Sequence, residues 1–216
     1  KHPKKAIEAT DIITDMEDIL KRTNLFKVLC EGTGKLNEHS FVDLGLPSGT
    51  KWATCNIGAN KPEEIGNYFA WGKTEVYENL GDLDGDDYMY DENYEVLSAS
   101  ADVATSEWGE DWRIPSKEDF EELLDKCTCE WVELFGSDGR MFTGPNGNSI
   151  FLPSYEINND SDLGRAGFYG TYWSSSPSTD DARSAWYLYF SMRKYEISEY
   201  LREFGMFVRP VCSIKK

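Results

Sequence analysis

The sequence predicts an α+β fold, with short antiparallel strands, one central helix and an amphipathic helix at the N-terminus. Three observations carry this expectation. From His39 onward, short apolar stretches alternate with turns rich in Gly, Pro and Asn, at hairpin spacing. A single capped helical pattern, Ser116 to Cys127, sits among them. Strands and helices therefore do not alternate as a parallel βαβ sheet would require.

The first element, Lys4 to Arg22, places Ile12, Met16, Ile19 and Leu20 on one stripe, with Asp11, Asp15, Glu17 and Asp18 free to face water. Thr23-Asn24 is its expected exit, and Glu31 to Lys35 reads as a linker. The chain thus divides into a helix with linker, residues 1–35, and a main domain, residues 36–216. The helix is expected to pack on that domain or on a second copy of the chain, so self-association is one expected partnership.

Phe41 to Leu44 and Lys51 to Cys55 read as strands around the turn Gly45-Leu46-Pro47-Ser48-Gly49. Asn67 to Gly72 is a core strand or a buried loop. Ser116 is the expected N-cap of the central helix, with Asp119 completing a capping box; Phe120, Leu123, Leu124 and Cys127 follow at helical spacing. Trp131 to Phe135, Arg140 to Thr143 and Ser149 to Pro153 form a three-strand meander, with turns at Gly136 to Gly139 and Gly144 to Asn148.

Composition excludes several functions. A net charge of −17 repels nucleic acid and anionic membranes, so neither is an expected partner. No apolar run approaches the roughly 20 residues that span a bilayer as a helix. A chain of this size buries about 70% of its unfolded surface and needs no disulfide framework. The five cysteines, odd in number and widely spaced, read as buried thiols with one bridge at most. The two histidines, His2 and His39, supply no triad signature, and Cys127-x-Cys129 alone does not make a zinc site. No cofactor is expected. Between Thr74 and Trp112 lie 13 Asp or Glu and no Lys or Arg, a solvated acidic loop in which Asp82, Asp84 and Asp86 are the candidate calcium ligands. The EF-hand pattern fails there, because Asp87 and Asn93 stand where Gly and Glu belong.

The positive signal is aromatic. Phe168 to Phe207 holds 12 of the 30 aromatic residues, many in alternation with polar ones. In Ala185 to Ser191, the better core face is Trp186, Leu188 and Phe190. Tyr187 and Tyr189 then point outward, continuing toward Arg193 and Tyr195, with Tyr200, Arg202 and Phe204 expected across from them. These seven residues are the candidate ligand-binding set, since aromatic and Arg side chains make good anchors. The competing expectation is that the rings pack under a neighbouring loop.

Six stretches resemble a known family: Phe41 to Asn56, Tyr68 to Gly72, Trp108 to Pro115, Gly144 to Pro153, Tyr172 to Ser176 and Val208 to Val211. They are similar to the Fibrobacter succinogenes major paralogous domain of exported and surface proteins in Bacteroidetes-type bacteria. The resemblance spans about Glu38 to Cys212 and implies a C-type-lectin-like fold, related to formylglycine-generating enzymes and to variable receptors that bind through their last strands. The calcium-lectin triplets EPN or QPD with WND are absent, and only Cys212 remains where the enzymes carry paired cysteines. The resemblance thus implies a non-catalytic, extracellular or cell-surface module that binds a protein or glycan. The alternatives are an enzyme with a carboxylate pair acting on carbohydrate or peptide, and a structural or assembly protein.

Overall fold

The computed structural model describes residues 9–76, 97–156 and 168–214, with side chains from residue 18 onward except that of Glu156. In chain order the elements are α1 (Ala9–Glu31), β1 (Gly34–Leu36), β2 (His39–Asp43), β3 (Lys51–Ala53), α2 (Val103–Trp108), β4 (Trp112–Arg113), α3 (Lys117–Lys126), β5 (Thr128–Leu134), β6 (Ser137–Thr143), β7 (Ser149–Pro153), β8 (Tyr155–Glu156), β9 (Phe168–Pro177), β10 (Ser184–Ser191), β11 (Tyr195–Leu201) and β12 (Val211–Cys212). They form three antiparallel sheets, ordered β1-β2-β3-β12-β4, β11-β10-β9-β8 and β5-β6-β7. The fold is α+β. The last strand, β12, inserts between β3 and β4, so the C-terminal segment is clasped by the early strands.

Helix α1 is longer than its apolar stripe suggested. It runs through Thr23-Asn24 to Glu31 and absorbs the Phe26 to Leu29 piece, because Leu29 is buried and Val28 packs on the core. The stretch read as a linker, Glu31 to Lys35, runs into β1, whose Gly34 to Leu36 pairs with β2. Ile19 and Leu20, placed on the expected packing stripe, are 62% and 60% exposed; the turns that follow make the contact with the domain.

Helix α3 forms as the sequence predicts. Ser116 Oγ accepts the Asp119 N–H, and the Asp119 carboxylate accepts the Ser116 N–H in return, a complete capping box. Phe120 and Leu123 point into the core. Asp119 also receives both guanidinium nitrogens of Arg113 and the Thr50 hydroxyl. Burial alone would raise the Asp119 carboxyl, but the Arg113 hydrogen bonds and charge hold it below its ordinary value. Asp102 caps α2 by accepting the Thr105 N–H and also takes the Ile114 N–H; burial pushes its carboxyl up.

The β5–β6 turn differs from its expected position. Leu134 pairs with Ser137, so the two-residue turn is Phe135-Gly136, both at positive φ, and Ser137 to Gly139 belong to a strand. Gly139 fits that strand because a Cβ there would stand 2.4 Å from the Leu152 carbonyl. The Gly144 to Asn148 turn forms as expected and locks onto the β2 exit, where Asn146 and Asn148 both donate to the Asp43 carbonyl at 2.8 Å.

The core is tied together by one buried cation. Arg209 has no exposed surface, and its guanidinium donates to the carbonyls of Ala53 (3.0 Å), Thr54 (2.6 Å) and Phe151 (2.9 Å) and to Asn56 Oδ1 (2.7 Å). Asn56 in turn donates to the Ile65 carbonyl and to the Tyr172 hydroxyl, which donates to the Pro153 carbonyl. The approach to β12, the end of β3, the end of β7 and β9 thus share one polar network. The large side chains around it, Trp52, Phe151, Tyr172 and Phe207, are buried with it.

The five cysteines are all free thiols. Cys212 is buried and pushed up to about 11 by burial, whereas Cys30 is exposed, so the expectation of buried thiols holds only for Cys212.

Two outcomes follow. Arg209→Met strands three buried carbonyls and Asn56, and should lower unfolding free energy by about 3–5 kcal/mol in urea titrations; Arg209→Lys should recover little, because a point donor cannot reach four acceptors. Asp119 has a depressed folded value, so its contribution is present above its ordinary 3.8 and is lost as pH falls through the folded value. Asp119→Asn should therefore cost about 1–2 kcal/mol at pH 7, with the gap closing as pH falls below 3.8 and through the folded value; a gap constant with pH would contradict this.

Candidate functional site

The site is built on β9, β10 and β11. The register Phe190↔Tyr195, Leu188↔Ile197 and Tyr187↔Ser198 fixes which side chains share a face of the sheet. Tyr187, Tyr189, Glu196, Ser198 and Tyr200 lie on one face, joined through β9 by Tyr169, Thr171 and Trp173. Leu188, Phe190, Tyr172 and Ile197 lie on the other, which is the core side. Phe190 pairs with Gly170, where a Cβ would stand 2.1 Å from the Phe190 ring, so only glycine lets that ring lie flat on β9.

On the first face, Tyr155, Tyr169, Thr171, Tyr187, Tyr189, Tyr200, Phe204, Gly205 and Met206 line an open cleft of about 320 Å³. Its far wall is held by backbone pairing. Phe69 and Met206 exchange both hydrogen bonds at 3.0 Å, and the Phe207 N–H donates to the Thr171 carbonyl. Behind this lie the reciprocal indole bonds of Trp71 to the Ser174 carbonyl (2.7 Å) and Trp173 to the Phe69 carbonyl (2.8 Å). The Asn67 to Gly72 stretch is therefore a buried loop that buttresses the cleft.

The rings meet at angles. Tyr187 and Tyr200 are 6.0 Å apart at 61°, Tyr200 and Phe204 4.7 Å at 67°, and Tyr155 and Tyr169 4.6 Å at 58°. Such tilted contacts shape walls rather than a flat platform. The Tyr155 hydroxyl pairs with Thr171 Oγ1 at 3.3 Å. Burial raises the phenols of Tyr155, Tyr169 and Tyr187, with the Ser198 hydrogen bond opposing the rise at Tyr187.

Of the seven candidate residues, the structure brings four into the cleft: Tyr187, Tyr189, Tyr200 and Phe204. Three lie elsewhere. Arg202 is only 3% exposed; its guanidinium lies 4.3 Å over the Trp71 ring and its Nε donates to the Ser184 carbonyl, so it is a structural residue. Tyr195 is 42% exposed but shares the face of Phe190, where its ring stacks 5.0 Å from the buried Arg140 guanidinium. Arg193 sits exposed in the β10–β11 turn, outside the cleft lining. Trp186 also departs from the expected core face. Trp186 is only partly buried under Lys117 Nζ, while Ala185, on the Tyr187 face, is buried in a second core cluster with Trp173 and Met206.

Tyr155, Tyr169, Thr171 and Met206 were missed. Tyr169 and Thr171 alternate in sequence with Trp173 and could have been found by extending the same two-residue period along β9. Tyr155 and Met206 come from other segments and carry no local signal. Asp82, Asp84 and Asp86 lie outside the described residues. Among the described residues no group of three His, Cys, Asp or Glu side chains is placed to hold a metal, and no helix is long and apolar enough to cross a membrane.

An absorbance titration at 295 nm checks the electrostatics of the cleft. Tyr155→Phe should leave the amplitude of the step near pH 10 unchanged and remove amplitude from the step that follows alkaline unfolding. A loss from the first step would contradict the burial of that phenol.

No curated protein and no solved structure matches the chain. The model of the Lcl C-terminal domain matches residues 47–212, from the turn after β2 to the last strand, and the chain belongs to that family.

Proposed function

We propose that this is a non-catalytic surface or secreted module that recognises a protein or glycan through the tyrosine cleft of its C-terminal sheet. The observation that carries this reading is the convergence of Tyr187, Tyr189, Tyr200 and Phe204 with Tyr155 and Tyr169 in one open cleft. Aromatic side chains with few rotors, held on strands, lose little entropy on binding. The kinship with the Fibrobacter succinogenes major paralogous domain and a C-type-lectin-like frame belong to the same reading. It is supported by the side chains that those signature stretches bury: Trp52, Trp71, Trp112, Phe151, Trp173 and Arg209. None of the cleft residues falls inside a signature stretch, so the resemblance rests on the frame and leaves the binding face to be particular to this chain. An enzymatic reading has less support, because the buried carboxylates Asp102 and Asp119 hold backbone N–H groups and Arg113.

A second reading adds assembly. Ile19 and Leu20 stand exposed on α1, and in the sequence Ile12, Met16 and Ile19 step by four and three, a spacing that suits a second copy of the same helix. Ile19→Asp/Leu20→Asp should then lower the mass measured by light scattering; an unchanged mass would remove this reading.

The binding claim is tested by a glycan and protein screen with the intact chain, the double variant Tyr187→Ala/Tyr200→Ala, and Tyr195→Ala. Each cleft ring should contribute about 1–4 kcal/mol, so the double variant should lose at least about tenfold in affinity while Tyr195→Ala binds normally. Ligand binding that survives the double variant and disappears in Tyr195→Ala would place recognition on the wrong face.

A further inference from the structure

We propose that the tyrosine cleft takes an alkylammonium cation, either a quaternary ammonium or a lysine-type side chain, against the faces of its rings. This rests on the binding reading above and names the chemistry of that site. Three features select a cation over a neutral sugar or an anion.

The first is the lining. Among the described residues it consists of five tyrosines, a phenylalanine, Thr171, Gly205 and Met206, with no amide, carboxylate or cationic side chain among them. A neutral sugar needs fixed donors and acceptors around its hydroxyls, and among the described lining side chains only Thr171 and the phenols offer any. A compact onium ion needs only ring faces meeting at an angle, which the 58–67° contacts supply.

The second is charge. Glu196 is the register partner of Tyr189 and shares the face of Tyr187, and the chain as a whole carries −17. An anionic sugar would meet that field unfavourably, whereas a cation is drawn by it.

The third is a cation already in place. Lys194 Nζ stands 5.1 Å from the Tyr189 ring centroid and 2.6 Å from Glu196 Oε1. This ammonium occupies one ring and one carboxylate at the rim of the cleft, as an incoming ligand would. It therefore competes with that ligand. Lys194→Ala should strengthen cation binding, a result that a purely apolar cleft would not give.

The experiment is titration calorimetry on the full chain with choline and with its neutral carbon isostere, 3,3-dimethylbutan-1-ol. A peptide carrying one trimethyl-lysine is compared with the same peptide carrying norleucine. Choline or the trimethyl-lysine peptide should bind at least about tenfold tighter than its neutral counterpart. Lys194→Ala should tighten binding by about threefold and Glu196→Gln weaken it by a similar factor, both effects fading in high salt. Tyr200→Ala should abolish it. Binding of choline alone assigns the ammonium to a small molecule or headgroup, and binding of the peptide alone assigns it to a protein side chain. Equal binding of charged and neutral partners, or no saturable binding of either cation, overturns the inference. If a screened glycan or protein still depends on Tyr187 and Tyr200 in that case, the binding site stands and only its cation chemistry falls. If no ligand depends on those tyrosines, both fall.

Discussion

Everything in this domain hangs on a buried guanidinium without a carboxylate partner. Arg209 is a cation with no exposed surface whose counter-charge is supplied by three carbonyl dipoles and one amide oxygen. Removing a charge from water costs several kcal/mol unless its donors are matched, so the network is stable only with its acceptors in place together. Those acceptors come from β3, from Asn56 and from β7, and Tyr172 joins through Asn56. Burial pushes the Arg209 guanidinium below its ordinary value, with Tyr172 and Cys55 opposing the shift, and its five donors let it serve all four acceptors.

The position of the cleft follows from that constraint. Tyr172 is fixed by the network, and its neighbours along β9 must alternate around it. Thr171 and Trp173 therefore turn to the opposite face, where they underlie Tyr189 and Tyr187. Val208 to Val211 lead into β12, which holds residues 204–207 against β9 and the Phe69 loop as the far wall. A rigid buried frame thus sets the geometry of an open aromatic face. This is the usual way a fold carries a binding site without being defined by it.

Much of the fold was legible because local rules and tertiary packing agree. The Ser116-Asp119 capping box, the Gly144 to Asn148 turn and the β7 strand appear where their residues place them. Departures arise where long-range contacts decide. The last turns of α1 are drawn out by burial of Leu29. The β5 turn moves to Phe135-Gly136 because Gly139 must lie against the Leu152 carbonyl. At the site, alternation places Tyr187 and Tyr189 on the cleft face, and hairpin register adds Tyr200. Tyr195 lies on the other face for the same reason, five residues from Tyr200 on one strand. Arg202 looked like an anchor by residue type, but its partners, Trp71 and the Ser184 carbonyl, are remote in sequence.

The most direct test of this account is amide hydrogen exchange on the intact chain, with and without the ligand that a binding screen retains. Added protection confined to residues 169–171, 185–189 and 198–206, with the Arg209 network equally protected in both states, is the predicted result. Protection appearing instead on α1 or on the β5–β6 hairpin would contradict the assignment of the tyrosine cleft as the binding face.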